Sequence, residues 1–148
     1  MSQYEPRMTI VEVEQLMDTV FVGWRKVAII ESLDAEGVTV RMPLRPLHIR
    51  PGGTVSGPAL MALADIAAYL LILALAGPVV SAVTSNLNIS FLARPAAADV
   101  VATVRMLRLG KRNAVATVEM RSDGSTDVVA HATVSYALPA PNAGTSSS

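Results

Sequence analysis

Between residues 9 and 22 the apolar positions Ile10, Val11, Val13, Leu16, Met17, Val20 and Phe21 recur at helical spacing, with acids on the opposite face. That spacing predicts a first helix. From Lys26 to Leu44 the period shortens to two: Val38, Val40, Met42 and Leu44 alternate with smaller or polar residues. Asp34-Ala35-Glu36-Gly37 reads as the turn joining two strands. The stretch "RPLHIRPGGTVSG", dense in Pro and Gly, reads as a loop. A helix over about 57–76 follows, with Ser56 as N-cap and Pro58 in its first turn. It is apolar on nearly every side and stops at Gly77-Pro78.

The rest of the chain alternates. Val83, Leu87, Ile89 and Phe91 fall on one face of a strand, and Thr84, Asn86, Asn88 and Ser90 on the other. Three further strands are joined at Gly110-Lys111-Arg112-Asn113 and at Ser122-Asp123-Gly124-Ser125. The last carries the stripe Val128, Ala130, Ala132, Val134, Tyr136 and Leu138. The expected architecture is α+β: a short helix, two strands, one long helix, then four strands in an antiparallel meander. One helix is too thin to cover so many strands unless the sheet curls around it. Residues 1–138 read as one domain and 139–148 as a disordered tail, with no internal repeat.

Composition sharpens this picture. The chain has 148 residues, 51% hydrophobic and 16% charged, with a mean hydropathy of +0.44. Such apolarity calls for a membrane span or for large surfaces buried between subunits. The apolar run Leu60 to Ala76 is short for a span and carries Asp65 near its middle, which argues against a membrane. Lys+Arg and Asp+Glu balance at 12 each, so nothing points to nucleic acid. With no cysteine there is no disulfide, thiolate zinc site or cysteine nucleophile. The N-terminal stretch has acids where an export signal has its apolar run, so a cytoplasmic protein is expected. His48 and His131 have no partner at metal-ligand spacing, and no metal is expected.

Asp65 is the anomaly. It is the one charged residue between Pro51 and Ala93. An isolated carboxylate taken out of water costs several kcal/mol or shifts its pKa. A structural explanation is a hydrogen bond from Tyr69, one turn later. A functional one is that the acid does chemistry, since an apolar sleeve makes a carboxylate a stronger base.

Four motifs in order carry a resemblance: the loop Arg50-Pro51-Gly52-Gly53-Thr54-Val55-Ser56-Gly57-Pro58, the helical Leu63-Ala64-Asp65, the strand Thr84 to Phe91 closed by Arg94-Pro95-Ala96, and the hairpin Gly110-Lys111-Arg112. Over about residues 25–138 the chain resembles the hotdog-fold acyl-CoA thioesterases, in particular the branch related to the phenylacetyl-CoA thioesterase PaaI. The resemblance implies a curled antiparallel sheet of five to six strands around one helix, and hydrolysis of an acyl-CoA thioester. Asp65 is then general base or nucleophile, and the Gly57 amide polarises the thioester carbonyl. Coenzyme A enters as part of the substrate, with no separate cofactor. The hairpin implies a coenzyme A groove, for which Arg94, Lys111 and Arg112 are candidates, with Arg105 and Arg108 nearby; a solvated hairpin is the ordinary explanation. The branch also implies a homo-oligomer, a dimer or a homotetramer built as a dimer of dimers.

Helix geometry adds a constraint. Gly57 and Asp65 lie eight residues apart, about 12 Å along one axis. One thioester cannot meet both on the same helix, so the expected site joins Gly57 of one subunit to Asp65 of another. The chain also departs from the branch. Ser56 stands where many members have His, and it reads either as a partial replacement or as the N-cap. Pro58 replaces a glycine, and Arg50 replaces an Asn. Thr84 aligns with a hydroxyl that assists the acid, although alternation puts it opposite Val83, Leu87 and Ile89, with Ser85 on their face. Two other functions are compatible: a non-catalytic acyl-CoA or ligand-binding hotdog protein, and a hotdog hydratase or dehydratase using His48.

Overall fold

The computed structural model describes residues 4–140; of the tail expected over 139–148, residues 141–148 lie outside the described residues. Helix α1 spans Ile10–Val20 and starts in a capping box: Thr9 Oγ1 accepts from the Glu12 N–H and Glu12 Oε1 accepts from the Thr9 N–H. Its buried face is Val13 and Met17. A hairpin follows, β1 (Ile29–Asp34) and β2 (Gly37–Met42), turned at Ala35-Glu36 as the sequence predicts. The Pro/Gly-rich stretch is more ordered than a plain loop. It holds a 3₁₀ turn at Pro46–His48 and a small hairpin of β3 (Ile49–Arg50) with β4 (Thr54–Val55).

Helix α2 spans Gly57–Ala76, and strands β5 (Val83–Phe91), β6 (Val100–Leu109), β7 (Asn113–Ser122) and β8 (Val128–Ala137) complete the chain. The main sheet has six strands in the order β1-β2-β6-β7-β8-β5, with every neighbouring pair antiparallel. The last four strands are therefore not a simple meander. β5 pairs with β8 at one edge, and the link 92–99 crosses back so that β6 pairs with β2. Alternation fixes which residues face inward but carries no record of which strand lies next to which. Arg41 clamps this crossover, pairing with Glu31 at 2.6 Å, Asp123 at 3.1 Å and Asp99 at 3.2 Å.

The core is the contact between α2 and the inner face of the sheet. Leu60, Leu63, Leu70, Leu71, Ile72 and Leu73 on the helix are buried. Facing residues on the sheet include Ala102, Ala114, Ala116, Ala130 and Ala132, also buried. Alanines also line the helix at Ala64, Ala67 and Ala68, and large side chains line the sheet at Met42, Val118, Met120 and Val134, so both layers mix sizes and interdigitate. The N-terminal segment closes the far side: the Arg7 and Met8 amides donate to the Ala74 carbonyl, and Met17 and Trp24 are buried there. By length and composition α2 could cross a membrane, with mean hydropathy 2.3, yet 72% of that stretch is buried inside this fold. Its apolarity belongs to the core. A six-stranded antiparallel sheet on one long central helix, with a short N-terminal helix, is the hotdog fold.

Candidate active site

Asp65 sits on the third turn of α2, half-buried rather than enclosed. Two hydroxyls donate to the same carboxylate oxygen: Thr84 Oγ1 to Oδ1 at 2.7 Å, and Tyr136 OH to Oδ1 at 2.7 Å. Oδ2 takes no hydrogen bond from the described residues. The Tyr136 hydroxyl also lies 3.1 Å from the Asp65 main-chain carbonyl. Charge-assisted bonds of this kind are the stronger ones, and they replace part of the hydration the acid loses.

A β-bulge puts Thr84 in reach. The β5–β8 register runs Thr84↔Tyr136, then Asn86↔Ser135, leaving Ser85 as the extra residue. Past it, Leu87 and Ile89 face Val134 and Ala132 on the inner side. The extra residue leaves Val83 60% exposed and sets Thr84 on the same side of the ladder as Tyr136, with its hydroxyl on Asp65. Strict alternation sets Thr84 opposite Leu87 and Ile89; the bulge overturns that assignment.

Tyr69 does not satisfy Asp65. Its hydroxyl donates to the Val80 carbonyl at 2.8 Å, and its ring stacks on Tyr136 with centroids 5.8 Å apart. Tyr136 takes the role instead, although in the sequence it stands only as part of an apolar stripe. The available signal is its hydroxyl: a buried phenol needs an acceptor, and α2 carries one charged residue. Burial pushes the Tyr136 phenol well above its ordinary value; a hydrogen bond with Thr84 offsets part of this, and the neighbouring Asp65 carboxylate adds to it. It is thus a neutral donor at physiological pH.

The acid opens into a pocket of about 520 Å³ lined by Val20, Phe21, Val27, Ala62, Ile66, Tyr69, Val80, Ala82 and Val83, with Thr84 and Tyr136 beside Asp65. Nearly all of this lining is apolar, so the pocket suits an uncharged hydrophobic group placed against a carboxylate.

Gly57 lies elsewhere. It lines a second pocket, about 280 Å³, with Arg50, Thr54, Val55, Leu60, Phe91, Ala93, Arg94 and Pro95. The two pockets share no residue. The start of α2 is arranged to leave one donor. Ser56 Oγ caps the Ala59 N–H at 3.3 Å, the Leu60 N–H bonds the Ser56 carbonyl, and Pro58 has no N–H. The Gly57 N–H is left without a partner among the described residues, at the positive end of a 20-residue helix. Ser56 is thus the N-cap. A Cβ at Gly57 would stand 3.3 Å from the tip of the Phe91 ring, so the glycine keeps the approach to its own amide open.

The remaining candidates are distributed over the sheet. Arg94 and Arg50 line the Gly57 pocket, and Arg50 does not contact Asp65. Lys111 and Arg112 are exposed on the β6–β7 hairpin, at the end of the sheet where Asn113, Ala137 and Val83 align. Within one chain they are remote from Arg94, which follows the opposite end of β5. Arg105 pairs with Glu36 at 3.3 Å. His48 is buried at the end of the 3₁₀ turn, where its Nδ1 accepts from the Arg45 N–H at 3.2 Å. Burial holds its imidazole below the ordinary value, with the Arg45 charge adding to this. It lines neither pocket.

Comparison with known proteins bears on the family and the fold. A sequence model of the thioesterase superfamily matches residues 52–129, from the loop before α2 into β8. The chain is similar to a candidate thioesterase from a Silicibacter species, at 32% identity over 92% of this chain and 95% of that one, with a TM-score of 0.83. It is similar to a variant of the phenylacetic acid degradation protein PaaI from Thermus thermophilus, at 27% identity over 83% and 97%, TM-score 0.65. Zebra fish thioesterase superfamily member 2, at 21% identity over 88% and 99%, shares the fold with a TM-score of 0.75. A comparison with curated protein sequences gives no match. With more than half of its length matched by that family model, this chain belongs to the thioesterase superfamily, as a hotdog-fold member of its PaaI-like branch.

Proposed function

We propose that the protein hydrolyses an acyl-CoA thioester to the free acid and coenzyme A, in a site shared between two subunits. The observation that carries this reading is a carboxylate held by two hydroxyls through one oxygen, its other oxygen free of hydrogen bonds from the described residues, at the mouth of an apolar pocket. In this mechanism Asp65 takes a proton from water as the hydroxide adds to the thioester carbon. The oxyanion that forms meets the Gly57 N–H at the start of α2 in the partner subunit. Collapse of the tetrahedral intermediate breaks the C–S bond, and the proton held by Asp65 passes to the departing thiolate. Attack by Asp65 itself is the variant pathway; ¹⁸O found in the Asp65 carboxylate after a single turnover in ¹⁸O-water identifies it.

The sharing of the site is supported by the ends of β5. Thr84 lies beside Asp65 at one end, and Phe91 lies beside Gly57 at the other. Seven residues of strand separate them by about 23 Å. β5 is also an edge of the sheet, with Val83 60% and Phe91 53% exposed. Two such edges running antiparallel would place Thr84 of one chain by Phe91 of the other, and hence Asp65 by the partner's helix start. The same pairing brings Arg94 of one chain toward Lys111 and Arg112 of the other, which suits a coenzyme A groove built from both. The test is a panel of acyl-CoA thioesters assayed with wild type and Asp65→Asn. Turnover by wild type and its loss in the variant support the reading; no turnover of any member by wild type removes it.

A further inference from the structure

We propose that Tyr136 is a positioning residue for this site: it holds Asp65 by Oδ1 so that Oδ2 alone is presented to the apolar pocket. The proposal rests on Asp65 being the reacting acid, as the proposed function has it. A purely structural reading of Tyr136 is a buried phenol satisfied by any nearby acceptor. The geometry argues otherwise. The hydroxyl has one proton, and of the two Asp65 oxygens in its reach the shorter contact, 2.7 Å against 3.1 Å, is to the carboxylate rather than the main-chain carbonyl, with the Thr84 hydroxyl beside it. Thr84, its partner across the β5–β8 ladder, converges on the same oxygen.

Two donors on one oxygen restrain the rotation that would otherwise exchange Oδ1 and Oδ2. The donors must themselves be fixed for this to work. The Tyr136 ring is buried, 4% exposed, and stacks on Tyr69 with an interplanar angle of 23°. Tyr69 is tethered in turn through its hydroxyl to Val80. The Thr84 hydroxyl is set by the bulge at Ser85. Preorganising the acid in this way acts on the chemical step and leaves substrate affinity alone.

The experiment compares wild type, Tyr136→Phe and Asp65→Asn on one acyl-CoA thioester, with kcat and KM measured separately. Phenylalanine keeps the ring and its stack and removes only the donor. Loss of one hydrogen bond to a charged group predicts a fall in kcat of about tenfold or more, with KM changed less than about twofold. A structural hydroxyl would lower the melting temperature and leave kcat in place, which overturns the proposal. Raised KM at unchanged kcat makes Tyr136 a lining residue and also overturns it. Full activity in Asp65→Asn removes the functional reading itself; an inactive Asp65→Asn beside a fully active Tyr136→Phe removes only the role of Tyr136. If Tyr136→Phe does not fold, 3-fluorotyrosine at position 136 keeps the ring and hydroxyl but changes donor strength. The proposal then requires kcat to change while KM and melting temperature stay put, and an unchanged kcat contradicts it.

Discussion

Thr84 and Tyr136 stand opposite each other across the β5–β8 ladder, and each hydroxyl donates to Asp65 Oδ1 at 2.7 Å. The carboxylate is thus gripped from one side by the sheet while α2 carries it from the other. This explains how an otherwise uncharged helix tolerates an acid in its third turn. It also makes the first prediction specific. Asp65→Asn keeps an oxygen that both hydroxyls can reach, so the fold persists with a cooperative melt. The amide cannot accept a proton from water, and kcat falls by about 10²–10⁴-fold. A variant keeping more than about a tenth of the wild-type rate contradicts the assignment of Asp65 as base.

At Gly57 a graded loss is expected. Its N–H is the one donor at the start of α2 left without a partner among the described residues, and the nearest side chain to a new Cβ is the flexible tip of Phe91. Gly57→Ala displaces that tip by a few tenths of an ångström and costs little rate. Gly57→Val also covers the amide, and loss of such a donor predicts a fall of about 10²–10³ in kcat. Equal activity in all three proteins excludes the Gly57 amide as the oxyanion donor.

What the sequence disclosed about this site divides by range. The start and stop of α2 are local chemistry: Ser56 caps, Pro58 enters the first turn, and Gly77 ends the helix with φ +94°. Those limits were legible, as were Asp65 as an anomaly and the three β6–β8 strands. The bulge at Ser85 was not, because an extra residue shows only against the partner strand. Without it Thr84 points away from the acid. Strand order was hidden for the same reason, and with it the pairing of β5 with β8 that places Tyr136. The apolar stripe around Tyr136 made its ring predictable and concealed its hydroxyl.

Coenzyme A recognition gives a prediction in KM. If Arg94, Lys111 and Arg112 hold the nucleotide phosphates, replacing each by Ala raises KM for acyl-CoA and leaves kcat nearly intact, because remote contacts bind ground and transition states alike. The same variants act normally on an N-acetylcysteamine thioester, which lacks the nucleotide. Unchanged KM for acyl-CoA in all three variants assigns the hairpin to solvent and points to a different thioester carrier.

Stability supplies an independent check on the sheet. Gly37 opens β2 with φ +140°, and a Cβ there would collide with the Val104 carbonyl oxygen on β6. Gly37→Ala combines that collision with a conformation L-residues avoid, a strain of order 1–3 kcal/mol from the backbone alone. Urea unfolding is expected to show a loss of at least about 2 kcal/mol. A variant as stable as wild type contradicts the β2–β6 register.

The shared site is tested most directly by mixing two inactive proteins. Asp65→Asn and Gly57→Val are each purified, unfolded together and refolded as mixed oligomers. If every site joins Asp65 of one chain to Gly57 of another, a mixed dimer contains one site with both groups intact and one with neither. Random assembly makes half of the dimers mixed, so activity returns to on the order of a quarter of the wild-type value. If both groups act within one chain, no combination holds an intact site. The mixture then stays as inactive as its parents, and the two-subunit mechanism is wrong.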